Sequence, residues 1–331
     1  LEAYKYYISG LLDQEQQHNP AALANLRKAV ALDSTFAMAY HRLSIVANQL
    51  GSFSASHEYA TRALQYAGKA TERERLHITA RHAQEFERNV GKAPTAYQTL
   101  IRKYPDEIEA RYQLGMIFYY ERQYQEAVEV FQQLIEKDPL YDLAYNRLGY
   151  TYSALGEHER AVASIRSYID LKPGESNPYD SLGDVYRAMG AFDQALPAYQ
   201  EALRLNPNFI YSPVKIGEVY DRLGRHEQAR ASYRTLLEGN PEAAGTSLAH
   251  WHTAVSYLFE GRYSAALDYL QERARFYKES DDQRGAMVTQ HQIGRIYLEL
   301  GQTEAAEQVF GEIENTLNTL SAADPSAYVI D

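Results

Sequence analysis

The residues able to do chemistry are scattered, and their spacing argues against catalysis. The chain has ten histidines and no cysteine, which excludes thiol catalysis and disulfides. His250 and His252 stand two positions apart and point in different directions on a helix. His77 and His82 stand five apart, again a poor match to one face. Asp281 and Asp282 sit in the polar stretch ESDDQRG, which lacks the alternating oxygen ligands and closing Glu of a calcium loop. No GxxxxGK[ST], HExxH, GxSxG or GxGxxG signature occurs. The expectation is therefore no catalytic residue, no metal, no cofactor and no enzyme.

Composition narrows the partners. Against 33 Lys and Arg stand 44 Asp and Glu, for a net charge of −11 and a pI near 5.5. Binding nucleic acid requires clustered cations to neutralise phosphates, so a nucleic-acid partner is not expected. No apolar run approaches the length of a membrane-spanning helix, so no membrane insertion is expected. Residues of the hydrophobic class make up 45% of the chain, enough for one long continuous core.

The elements that position these residues repeat every 34 positions. Four gapless copies run over 108–141, 142–175, 176–209 and 210–243. Numbered from Ile108, slot 8 is Gly115, Gly149, Gly183 and Gly217, and slot 20 is Ala127, Ala161, Ala195 and Ala229. Glycine inside a helix costs about 1 kcal/mol relative to alanine, so its recurrence implies a compensating close approach. Opposition of the slot 8 glycine to the slot 20 alanine is the expected contact. Aromatic residues at slot 11 and large ones at slot 24 (Phe131, Ile165, Tyr199, Tyr233) then fill the space between stacked pairs. Proline at slot 32 (Pro139, Pro173, Pro207, Pro241) stops the second helix. Glycine at slot 15 (Gly156, Gly190, Gly224) marks a turn that takes positive φ.

This pattern resembles the tetratricopeptide repeat. The register extends to 3–36, 37–70, 74–107, 247–286 and 287–320, with residues 321–331 as a tail. The copy 74–107 is the most degenerate, with Arg81 at slot 8 and a short insertion ahead of it, and Ala244–Thr246 form a second insertion. The resemblance implies an all-α, right-handed superhelical solenoid of about nine helix-turn-helix repeats in a single domain. Such a scaffold binds a protein or peptide segment and performs no reaction. The alternative is a sensor whose groove holds a small ligand.

The family's concave face is lined by slots 2, 5, 9 and 12 of each first helix, which share one side of a helix. Tyr4, Tyr7, Leu11, Met38, His41, Ile45 and Asn48 fall there first. An aromatic zone follows with Tyr112, Met116, Tyr119, Asn146 and Tyr150, then an acidic zone with Asp180, Asp184, Arg187, Glu218 and Asp221. Leu248, Trp251, Val255 and Leu258 return to apolar character, as a contact site or as cover for the insertion before them. Tyrosine combines apolar area with a polar tip and suits a peptide-binding surface. The carboxylates suit a basic portion of the bound segment. The slot 5 Lys and slot 9 Asn by which chaperone-binding members of the family grip a terminal carboxylate are absent.

Segments such as LEAYKYYISGLL and NPYDSLGDVYRAMG are also similar to the repeat regions of bacterial multidomain signalling proteins linked to a kinase, a cyclase or a winged-helix domain. A piece of a longer, cytoplasmic protein is the expectation. The alternative is an extracytoplasmic domain of a membrane-anchored one.

Overall fold

The computed structural model describes residues 1–87, 91–239 and 243–323. Pro241 and the tail from residue 324 lie outside the described residues. Within them the regular elements are helices, paired in chain order. The pairs are α1 (Glu2–Glu15) with α2 (Asn19–Leu32), α3 (Ala37–Gln49) with α4 (Phe53–Tyr66), and α5 (Glu72–Glu85) with α6 (Lys92–Lys103). Next come α7 (Ile108–Tyr120) with α8 (Tyr124–Lys137), then α9 (Asp142–Ala154), then α10 (His158–Leu171), and α11 (Ser176–Ala188) with α12 (Phe192–Leu205). The last are α13 (Tyr211–Arg222) with α14 (His226–Gly239), α15 (Ala243–Phe259) with α16 (Tyr263–Glu279), and α17 (Gln283–Glu299) with α18 (Thr303–Ala323). A single 3₁₀ turn, Ala67–Lys69, closes the second repeat just ahead of the insertion at 71–73.

The fold is the all-α stack of helix pairs that the 34-residue period implies. Two compact units emerge, one ending at Glu157 and one starting at His158. In the first, one apolar core runs from Tyr7 to Ile78 and a second from Ala80 to Val130, so α5 contributes to both. In the second, cores form around Tyr199 with Val219 and around Leu270 with Ile293.

The glycine at slot 8 meets a different neighbour from the one expected. A Cβ on Gly115 would stand 2.6 Å from the ring of Phe131, and one on Gly294 would stand 2.6 Å from the ring of Phe310. Gly183 and Gly217 lie closer still under Tyr199 and Tyr233, and a Cβ on Gly10 would stand 2.7 Å from Leu26. The partner is thus the slot 24 side chain of the same repeat. The slot 20 alanines Ala127, Ala195 and Ala229 are fully buried beside it. The ring lies flat on the first helix because nothing projects from the glycine.

Slot 15 behaves as its residue type requires. Gly51, Gly156, Gly190, Gly224 and Gly301 all take positive φ. Gln17 and Arg122 occupy the same slot and take φ of 59° and 61°, so the repeat imposes this backbone even on side chains that disfavour it.

The insertions are absorbed differently. Ala244–Thr246 form part of the first turn of α15, which reaches 17 residues. Helix α17 starts at Gln283, ahead of the Met287 expected from the register, because the Asp282 side chain accepts the backbone N–H of Gly285 and caps it there.

Candidate functional site

In the first unit, α7 and α9 carry the aromatic zone. Tyr112 is half-buried, its ring 5.6 Å from that of Tyr141 and 6.3 Å from that of Phe131. Its hydroxyl accepts from Arg147 Nε at 3.4 Å. Tyr119 is half-buried against Tyr120 and Tyr124, at 5.6 and 5.8 Å, and burial raises its phenol pKa. Met116 and Asn146 are buried, whereas Tyr150 is half-buried. Tyr112 and Tyr119 therefore pack part of their surface against neighbouring rings and leave part exposed.

In the second unit the carboxylates are largely engaged by the protein itself. Asp180 is 4% exposed, accepts from Ser212 Oγ at 2.9 Å and is ion-paired with Lys215. Burial pushes its carboxyl pKa up, and the Lys215 ammonium opposes that. Asp184 takes Lys215 Nζ at 2.7 Å, the Tyr199 hydroxyl at 2.9 Å and Arg187 at 3.3 Å. Asp221, 8% exposed, accepts from the Tyr233 hydroxyl at 2.9 Å and Ser256 Oγ at 2.7 Å, and His226 Nδ1 lies 2.8 Å away. Burial followed by the neighbouring carboxylate drives the Tyr199 and Tyr233 phenols strongly upward, so both remain donors. These contacts tie α11 to α13 and α13 to α15.

Glu218 differs. Its side chain is 35% exposed, and its ion-pair partners are Arg187 at 3.4 Å and His252 at 3.9 Å. Exposed pairs of this length contribute little. Glu218 is the carboxylate of this zone most available to a partner.

Five of the residues expected on the concave face meet at one cavity of about 560 Å³. Arg187, Glu218 and Asp221 form one side, and Trp251, Val255 and Phe259 the other. Trp251 is half-buried, with the Arg273 guanidinium 5.2 Å from its ring centroid. His252, on the rim, is held below the usual imidazole range by burial, against the opposing pull of Glu218 and Asp221. The cavity thus combines an aromatic and aliphatic wall with an accessible carboxylate.

Lys215, His226 and Ser256 were not foreseen, nor were the bonds that Tyr199 and Tyr233, expected only as packing residues, donate to Asp184 and Asp221. A signal for the first did exist. Lys215 follows Asp180 by one repeat plus one residue, which places it on the next first helix, beside the carboxylate. Among the described residues no three His, Asp or Glu side chains are placed to hold a metal ion, and no helix is long and apolar enough to cross a membrane.

A tetratricopeptide repeat family model matches residues 112–176 and 214–280, and two related models match 181–209 and 289–313. No curated protein matches the chain. A solved tetratricopeptide repeat protein from Parabacteroides merdae is similar at 17% identity, with 75% of this chain and 97% of that one covered and a TM-score of 0.54. Yeast Tom70 is similar at 14% identity, with 93% and 64% covered and a TM-score of 0.60. At such identities the likeness is one of fold. The chain carries tetratricopeptide repeats.

Proposed function

We propose that this protein is a non-enzymatic interaction scaffold that binds a segment of another protein along the first helices of its repeats. The observation that carries the reading is the cavity bounded by Arg187, Glu218, Trp251 and Val255. These four residues come from three successive repeats and occupy slots 12, 9, 5 and 9 of first helices, which face one way. An apolar side chain of the segment fills the space against Trp251 and Phe259, and a neighbouring Lys or Arg meets Glu218. Half-buried Tyr112, Tyr119 and Tyr150 offer a second apolar strip in the first unit. A second reading, capture of a small ligand, is favoured by the volume, which lies in the range of small-molecule sites.

Selection from a displayed peptide library against the whole chain separates the two. The scaffold reading expects peptides with an apolar residue next to a basic one. Trp251→Ala should weaken them by about 2 kcal/mol or more. Glu218→Gln should have a smaller, salt-sensitive effect. Failure to select any peptide, together with saturable binding of a small molecule at Trp251, would favour the second reading.

A further inference from the structure

The third repeat breaks the register in several places, and the breaks converge. Slot 8 is Arg81, at the position where five described repeats place glycine under a slot 24 side chain. The insertion at 71–73 begins with Thr71, which caps α5 through Glu74. Thr71, Arg73, His77 and Arg81 of this segment face His41 and Arg42 of α3 across one cavity of about 490 Å³, wholly within the first unit.

Its polar groups are incompletely paired. Arg73 is engaged by Glu107, which also lies 2.9 Å from His77 Nε2. Arg81 reaches Glu85 through a terminal nitrogen, and Arg42 lies against the Tyr7 hydroxyl. The Nε atoms of both Arg42 and Arg81 are nevertheless buried without a partner. His41, 8% exposed, lies beside them. A buried donor left unmade is expensive, and two such guanidinium donors on one cavity call for an acceptor from outside.

The local charge has a sign. His41 is held well below the usual imidazole range by burial first, then by the charges of Arg81, Arg42 and His77, with no carboxylate pulling the other way. Around the whole cavity Arg42, Arg73 and Arg81 stand against Glu74, Glu107 and Glu109. One added negative charge is accommodated beside the two free donors. Two would be repelled by the glutamates. Arginine binds carboxylates through its donor fork.

We propose that the cavity between α3 and α5 binds a single carboxylate, the Asp or Glu side chain of an acidic peptide segment, with Arg42 and Arg81 as the grip and His41 as a further donor. The degeneracy of the third repeat is then its function: Arg81 gives up the glycine seat to reach the ligand. This site is independent of the cavity around Trp251.

The test uses the full chain with isotope-labelled histidine, followed by NMR. The probes are acetyl-Glu-Glu amide, acetyl-Gln-Gln amide and inorganic phosphate. His41 is assigned by its loss in His41→Gln. The glutamate probe should move the His41 signal saturably and raise its pKa, the glutamine probe should leave it in place, and phosphate should bind more weakly. Arg42→Gln and Arg81→Gln should each weaken the glutamate probe about tenfold or more, and exposed Arg102→Gln should not. Circular dichroism checks the fold; if Arg81→Gln unfolds, Arg42→Gln decides. An unmoved His41, equal response to both peptides, tighter binding of phosphate, or indifference to Arg42→Gln overturns the proposal.

Discussion

At the residue scale, Gly115 and Arg122 test the logic of the repeat from opposite sides. Gly115→Ala gains about 1 kcal/mol of helix propensity. It also places a methyl 2.6 Å from the fully buried ring of Phe131, which cannot step aside. Overpacking of this kind costs about 1–3 kcal/mol, so the expected result is a net loss of stability. Arg122→Gly should do the reverse, because Arg122 holds φ at 61° in a slot that glycine fills elsewhere. Relief of the left-handed strain should raise stability by up to about 1 kcal/mol. Urea unfolding of both variants checks the pair. The sequence shows that slot 8 must stay small, but not what lies on it, since the period fixes a helix face and not the depth to which a slot 24 ring reaches. The same limit applies to Asp180 and Asp221, whose acidic character is legible while their burial against Lys215 and Ser256 is not.

At the scale of the element, α5 is the weak member of its unit. Its buried side chains are Ile78, Ala80 and Ala83, and it carries unpaired polar atoms on Arg81 and Glu85. Helix α9 buries Leu148 and Tyr152, and its Thr151 hydroxyl bonds back to the Arg147 carbonyl. Stability in stacked repeats is local to each interface, so α5 should open more readily. Amide hydrogen exchange should show faster exchange over 72–85 than over 142–154; equal protection contradicts this. The helix pairs were legible because glycine, alanine and proline recur at fixed slots. The early start of α17 was not, because its signal, the Asp282 cap, lies in a linker that the repeat register passes over.

At the scale of the whole molecule, buried histidines set the response to acid. His41 is neutral in the fold because of burial and the charges of Arg81 and Arg42, and burial likewise lowers His252 and His250. An unfolded histidine takes up a proton below about pH 6.5, whereas these folded ones do not. The unfolded state then binds more protons, and stability falls as pH drops from about 6.5 toward the depressed folded values. His41 alone should cost the wild type up to about 1 kcal/mol between pH 6.5 and 5.5. His41→Gln should lose correspondingly less, as urea midpoints at pH 7.5 and 5.5 would show; identical losses would contradict the assignment.

The central claim, that the first-helix face captures a protein segment, has a direct reporter. Trp251 is the sole tryptophan and lies at the cavity. Peptides selected against the intact chain should change its emission on binding. Their affinity should fall by about tenfold or more in Trp251→Ala, followed by anisotropy of a labelled peptide. Selected peptides that leave Trp251 emission unchanged and bind Trp251→Ala with wild-type affinity would contradict the account.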